Sequence, residues 1–216
     1  MSKNLKIRIY TSIALLLSLL VIMLNNYALA FFLMLIGIFA VLEFFNIILK
    51  IFKRNRIKQF LYNLIFTSYI FIFCSYFFVL SFFFHLKIIL FLVLITCVAS
   101  DIGGFIFGKI FKGPKLTTIS PNKTVSGALG SLIFSSLIIS ALFYLADKSF
   151  DPSIVVIGCL ISISCQVGDL FFSFLKRKSS LKDSGNFLPG HGGVLDRCDG
   201  LLLGVPVGFL ILLLSY

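Results

Sequence analysis

The stretch from Gly168 to Asp199 interleaves acidic and basic residues in a way that suits the handling of polyanions. It reads Gly168-Asp169-Leu170, Ser173, Lys176-Arg177, Lys182-Asp183-Ser184-Gly185, Pro189-Gly190-His191-Gly192-Gly193 and Asp196-Arg197-Cys198-Asp199, and holds four of the eight acidic residues in the chain. Hard divalent cations take oxygen ligands, and Mg²⁺ in phosphoryl chemistry uses one or two carboxylates together with substrate phosphates and water. Asp169, Asp196 and Asp199 are therefore candidate metal ligands, and Asp183 is a candidate fourth ligand or water-holder. Asp196 and Asp199 are three apart, so a helix would put both carboxylates on one face. Lys176, Arg177, Lys182 and Arg197 can neutralise phosphate oxygens, while Gly190, Gly192 and Gly193 let the backbone pass close to a bulky polyanion. His191 can donate to a phosphate or brace the glycine turn. The plainer alternatives stay open: Lys176-Arg177-Lys178 is also what a snorkelling helix end looks like, and His191 alone is an ordinary loop histidine.

A second polar stretch precedes it. Asp101-Ile102-Gly103-Gly104 and Gly108-Lys109 read as the start of a loop that continues to Ser120-Pro121-Asn122-Lys123-Thr124-Val125-Ser126-Gly127. The N–H groups at a helix start bind anions, and Lys123 adds a point charge. Ser120, Lys123 and Thr124 are thus candidate substrate contacts, with an ordinary helix start as the alternative. Asp101 is either a polar cavity residue or a helix end.

What must position these residues is a membrane protein. Of the 216 residues 59% are hydrophobic and 12% charged, and the mean hydropathy of +1.10 is too apolar for a water-soluble globule. A spanning helix needs roughly 20 apolar residues. The sequence predicts an all-α polytopic chain of about seven spans, near 7–24, 28–49, 60–81, 86–100, 127–146, 153–174 and 200–216. The division between 60 and 100 rests on His85 and Lys87 alone. Residues 1–100 read as N-terminal transmembrane helices and 101–216 as the catalytic region with two cytoplasmic polar loops, within a single integral domain. Asp169 falls inside a span, where a charge is costly unless it faces water, another charge or a cation.

The basic residues orient the chain independently of hydropathy, because short cytoplasmic loops are enriched in Lys and Arg. With the N-terminus inside, seventeen of the nineteen fall on the cytoplasmic side, all but Lys87 and Lys148. The net charge of +11 follows from this topology and from attraction to anionic lipid headgroups; nucleic acid is not required. Cys74, Cys97, Cys159 and Cys165 lie in apolar runs without ligand-like spacing, and Cys198 sits between charged residues, so neither a disulfide nor a metal–thiolate site is expected.

At these residues the chain resembles the phosphatidate cytidylyltransferase (CDP-diacylglycerol synthase) family. The likeness rests on the long signature running from Ser173 through Lys176-Arg177, Lys182-Asp183, Pro189, His191-Gly192-Gly193 and Asp196-Arg197 to Asp199. The 101–127 stretch resembles the family's preceding loop, so roughly the C-terminal half is covered. The resemblance implies that CTP and phosphatidic acid give CDP-diacylglycerol and pyrophosphate, with Mg²⁺ required and a second cation left open. It implies a multi-pass enzyme of phospholipid biosynthesis in a bacterial cytoplasmic (inner) membrane, with membrane lipids but no nucleic acid as partners and a homodimer left open. Phe172 and Ser126 stand where the family pattern has glutamates, and Cys198 where it has an aliphatic residue. Two rival readings remain: a transporter or channel whose Glu43 and Asp169 line an ion path, and a related lipid nucleotidyltransferase with a different substrate.

Overall fold

The structure, a computed structural model, describes residues 25–148, 151–187 and 192–215. Six α-helices account for nearly all of them: α1 (Asn26–Ile51), α2 (Arg56–Leu80), α3 (Phe84–Phe111), α4 (Val125–Asp147), α5 (Pro152–Lys178) and α6 (Leu195–Ser215). All six are long and apolar enough to cross a membrane; at 1.5 Å per residue, even 21 residues reach across roughly 30 Å of hydrocarbon. The all-helical, polytopic expectation is met, and the predicted span near 7–24 lies outside the described residues.

Polar residues at the apolar boundaries start the helices. Asn25 Oδ1 accepts from the Tyr27 amide at 2.8 Å and Asn55 Oδ1 from the Lys58 amide at 3.0 Å. Thr124 Oγ1 accepts from Gly127 at 3.1 Å, and Asp151 Oδ1 accepts from Ser153 at 2.8 Å, with Pro152 as first helical residue. Each supplies an acceptor for an N–H that has no partner within its helix. Lys50, Lys109 and the Lys176-Arg177-Lys178 run occupy last turns, where cations complement the helix dipole.

Two boundaries differ from the sequence reading. The apolar run divides at residues 81–83, where Ser81 N donates back to Phe77 and Phe78 carbonyls, overlapping the predicted break between 81 and 86 but with His85 and Lys87 themselves inside α3. Helix α3 also continues through Asp101, Gly103, Gly104 and Lys109 to Phe111, so the first half of the expected loop is helix. The glycines serve packing instead of a turn. A Cβ on Gly103 would lie 2.5 Å from Phe134 Cβ, one on Gly104 2.5 Å from Ser131 Oγ, and one on Gly127 2.8 Å from the Gly104 carbonyl. Helices α3 and α4 therefore cross with their backbones nearly touching, the small-residue packing that holds helices together in lipid.

The helices form two compact units: α1, α2 and Leu175–Cys198 in the first, Phe84–Phe174 with the remainder of α6 from Asp199 in the second. In the first, Phe44 of α1 stacks on Phe66 of α2 with ring centroids 3.8 Å apart, and Phe39 meets Phe187 at 3.7 Å. In the second, serines join the helices. Ser135 and Ser136 of α4 donate to the Gly158 and Val155 carbonyls of α5 at 3.0 and 3.1 Å, and Ser100 of α3 meets Ser162 of α5 at 2.7 Å. Cys97 and Cys165 are buried beside Gly204, consistent with their reading as small hydrophobes.

Candidate functional site

In the second unit, the chain between α3 and α4 is folded so as to deliver one lysine. The Lys123 amide closes a turn onto the Ser120 carbonyl at 3.1 Å, with Pro121 in the position that favours its fixed φ. Leu116 N donates to Lys123 O at 2.8 Å, Val125 N donates to Pro114 O at 3.0 Å, and Lys115 and Thr124 form an antiparallel bridge. The result is an ion pair between Lys123 Nζ and Asp169 Oδ2 of α5, with side chains 27% and 28% exposed. Asp101, on α3, lies within electrostatic reach of both. Helices α5 and α6 touch one residue before Asp169: a Cβ on Gly168 would lie 2.6 Å from the Asp199 carbonyl. The turn bearing Asp169 thus rests against the turn bearing Asp199, which is buried and accepts from the Gly200 amide at 3.0 Å.

In the first unit the pairing is tighter. Lys176 Nζ lies 2.7 Å from Asp196 Oδ1, with side chains only 12% and 11% exposed. Asp196 Oδ2 accepts from the Ser184 amide at 2.8 Å and the Gly193 amide at 3.1 Å. Gly192 next to it has φ +87°, and a Cβ there would lie 3.3 Å from Asp196 Oδ2, so a residue without a side chain fits on both counts. Around this knot Arg177, Lys182, Asp183 and Arg197 are exposed, with Arg177 Nη1 on the Leu181 carbonyl at 3.4 Å. Ser173 is half-buried on α5.

Glu43 completes this cluster. It is 5% exposed, about two turns before the end of α1, and its two oxygens accept from Ser184 Oγ at 2.7 Å, Val194 N at 3.0 Å and Leu195 N at 2.9 Å. The sequence offers Glu43 only as part of an ion path. Its oxygens instead hold the start of α6.

The structure thus gathers Lys176, Asp196, Gly192 and Gly193 in one unit and Lys123, Thr124, Asp169 and Asp199 in the other. Ser120 serves the turn that aims Lys123. His191, Pro189 and Gly190 lie outside the described residues. Phe172 is buried at 4% exposure, a packing residue where a carboxylate was expected. Ser126 donates to the Lys112 carbonyl, bracing the turn that leads to α4. Among the described residues no group of three or more His, Cys, Asp and Glu side chains is arranged to hold a metal ion; Asp169 and Asp196 are each paired with a lysine. The donors nevertheless suit a hard divalent cation, because they are carboxylate oxygens.

Six apolar helices carrying two lysine–aspartate clusters define a polytopic membrane protein built to hold charge. The chain matches the model of the cytidylyltransferase family over residues 2–215, and it belongs to that family. Similar chains are the phosphatidate cytidylyltransferase of Rickettsia bellii, 39% identical over 130 residues (56% of each chain), and that of Staphylococcus aureus strain COL, 39% identical over 132 residues (60% of this chain, 50% of the relative). That of Helicobacter pylori strain J99 is 42% identical over 112 residues (52% of this chain, 42% of the relative). The matched part spans about half the length of these curated relatives.

Proposed function

We propose that this chain is an Mg²⁺-dependent phosphatidate cytidylyltransferase of a bacterial cytoplasmic membrane, joining CTP to phosphatidic acid with release of pyrophosphate. The observation that carries the reading is the Lys176–Asp196 knot, tied by the Ser184 and Gly193 amides, inside the signature of a cytidylyltransferase-family chain. A loop of a carrier would not need an aspartate locked to two amides with exposed Arg177, Lys182 and Arg197 around it. The placement of seventeen of nineteen Lys and Arg at alternate connections supports a cytoplasmic site, reached by CTP from water and by the lipid from the inner leaflet.

The phosphomonoester oxygen of phosphatidic acid attacks the α-phosphorus of CTP, a new P–O bond forms, and the bond to the pyrophosphate oxygen breaks. The nucleophile is already anionic, so the chain supplies no strong base and forms no covalent intermediate; its work is alignment and charge stabilisation. Arg177, Lys182 and Arg197 would offset the charge of the phosphates, as would Lys123 from its turn with Ser120 and Thr124 beside it. Gly192 and Gly193 keep the signature backbone close to the polyanion. His191 is assigned to the leaving pyrophosphate and Asp183 to holding water. Asp169 and Asp199 would hold Mg²⁺, which when bound draws charge from the phosphate oxygens, while Asp196, tied to Lys176 and two amides, shapes the signature around them.

Purified protein in detergent micelles with Mg²⁺, labelled CTP and phosphatidic acid is expected to yield labelled CDP-diacylglycerol, and chelation with EDTA to abolish it. Absence of product with CTP, but turnover of another nucleotide or lipid, would move the assignment to a related nucleotidyltransferase.

A further inference from the structure

We infer that Glu43 is a positioning residue for this reaction: from α1 it fixes the start of α6 and the turn at residues 182–185, and through them the geometry of Asp196. The inference rests on the reading above for its consequence, but not for its geometry. A carboxylate inside an apolar helix is costly unless it is fully bonded, and this one is. Two of its three donors, Val194 N and Leu195 N at 3.0 and 2.9 Å, belong to the opening of α6, where N–H groups have no partner within the helix and favour an anion. Glu43 is therefore a cap supplied by a distant helix.

The surrounding backbone is shaped to the carboxylate. A Cβ on Gly185 would lie 2.5 Å from Glu43 Oε1, and one on Gly193 2.5 Å from Oε2. A side chain at Gly185 would displace the carboxylate, and one at Gly193 would displace both the carboxylate and the Ser184 hydroxyl that bonds it, 2.1 Å from that Cβ. Ser184 carries the link onward: its hydroxyl donates to Glu43 Oε2 at 2.7 Å and its amide to Asp196 Oδ2 at 2.8 Å. A continuous run of hydrogen bonds thus leads from α1 through Ser184 to Asp196 and Lys176. Buried as it is, Glu43 acts on substrate only through these neighbours.

Glu43→Gln keeps the size but turns one end into a donor that must face at least one N–H. In the full-length protein it is expected to lower kcat by about 10²-fold, as small misplacements do, with KM for CTP changed much less, and to speed hydrogen exchange at 193–195. Glu43→Asp is expected to recover part of the lost kcat. Ser184→Ala, which removes one donor of three, is expected to cost about 10-fold and carries the test if the Glu43 variants do not fold. Wild-type kcat per monodisperse molecule in Glu43→Gln, or unchanged exchange at 193–195, would overturn the inference. A wild-type protein with no CTP-dependent turnover would sink the reaction reading instead, and exchange at 193–195 would still decide whether Glu43 holds the loop.

Discussion

Lys123–Asp169 and Lys176–Asp196 pair the same two residue types in surroundings that give them different natures. The first joins a short turn to the flank of a helix, and more than a quarter of each side chain is exposed. The second has barely a tenth of each side chain exposed, and two backbone amides share its carboxylate. Ion pairs that water reaches contribute about 0–1 kcal/mol, because water competes and long side chains lose freedom. Breaking a desolvated, hydrogen-bonded pair by removing one partner costs about 3–5 kcal/mol. One aspartate is thus held where water reaches it, and the other is part of the architecture that shapes the signature.

The sharpest way to break this contrast is at Asp196. Asp196→Ala removes the carboxylate that Lys176 and two amides share, and is expected to destabilise the protein by about 3–5 kcal/mol, read as a lowered unfolding midpoint in micelles, along with loss of turnover. Asp169→Asn is expected to lower kcat by roughly 10²–10³-fold, the scale of losing one preorganised electrostatic group, while shifting stability by less than about 1 kcal/mol. If both variants unfold alike, the two pairs are one kind of thing and the distinction fails. The smallest effect is at the lysines themselves. An amine-reactive reagent should modify Lys123 several-fold faster than Lys176, and added salt should widen the gap, since screening reaches exposed pairs first; equal rates would contradict the difference in exposure.

The spans were legible because lipid leaves no choice: long apolar runs without charges must be helices. The end of α3 was not, because Asp101, Gly103, Gly104 and Gly108 look like a turn by their behaviour in water. In lipid the same glycines are contact points, and the available signal was their four-residue spacing opposite the small residues Gly127, Gly130 and Ser131. Of the site, the candidate residues could be named from the signature, but their partners could not. Lys176 and Asp196 look in the sequence like separate ligands of phosphate and metal, yet the connection between α5 and α6 folds them onto each other across a separation of 20 residues. The role of Glu43 was hidden for a simpler reason: its donors are 141 to 152 residues away, and two are backbone amides, which carry no residue-type signal at all.

That separation along the chain also orders events at the ribosome. Ser184 follows Glu43 by 141 residues, which at roughly 5–20 residues per second is a wait on the order of ten seconds. Throughout it, α1 holds a carboxylate whose permanent companions have not yet been made, and water or lipid headgroups must stand in for them. The earliest described helix therefore finishes its own assembly only when the latest one begins.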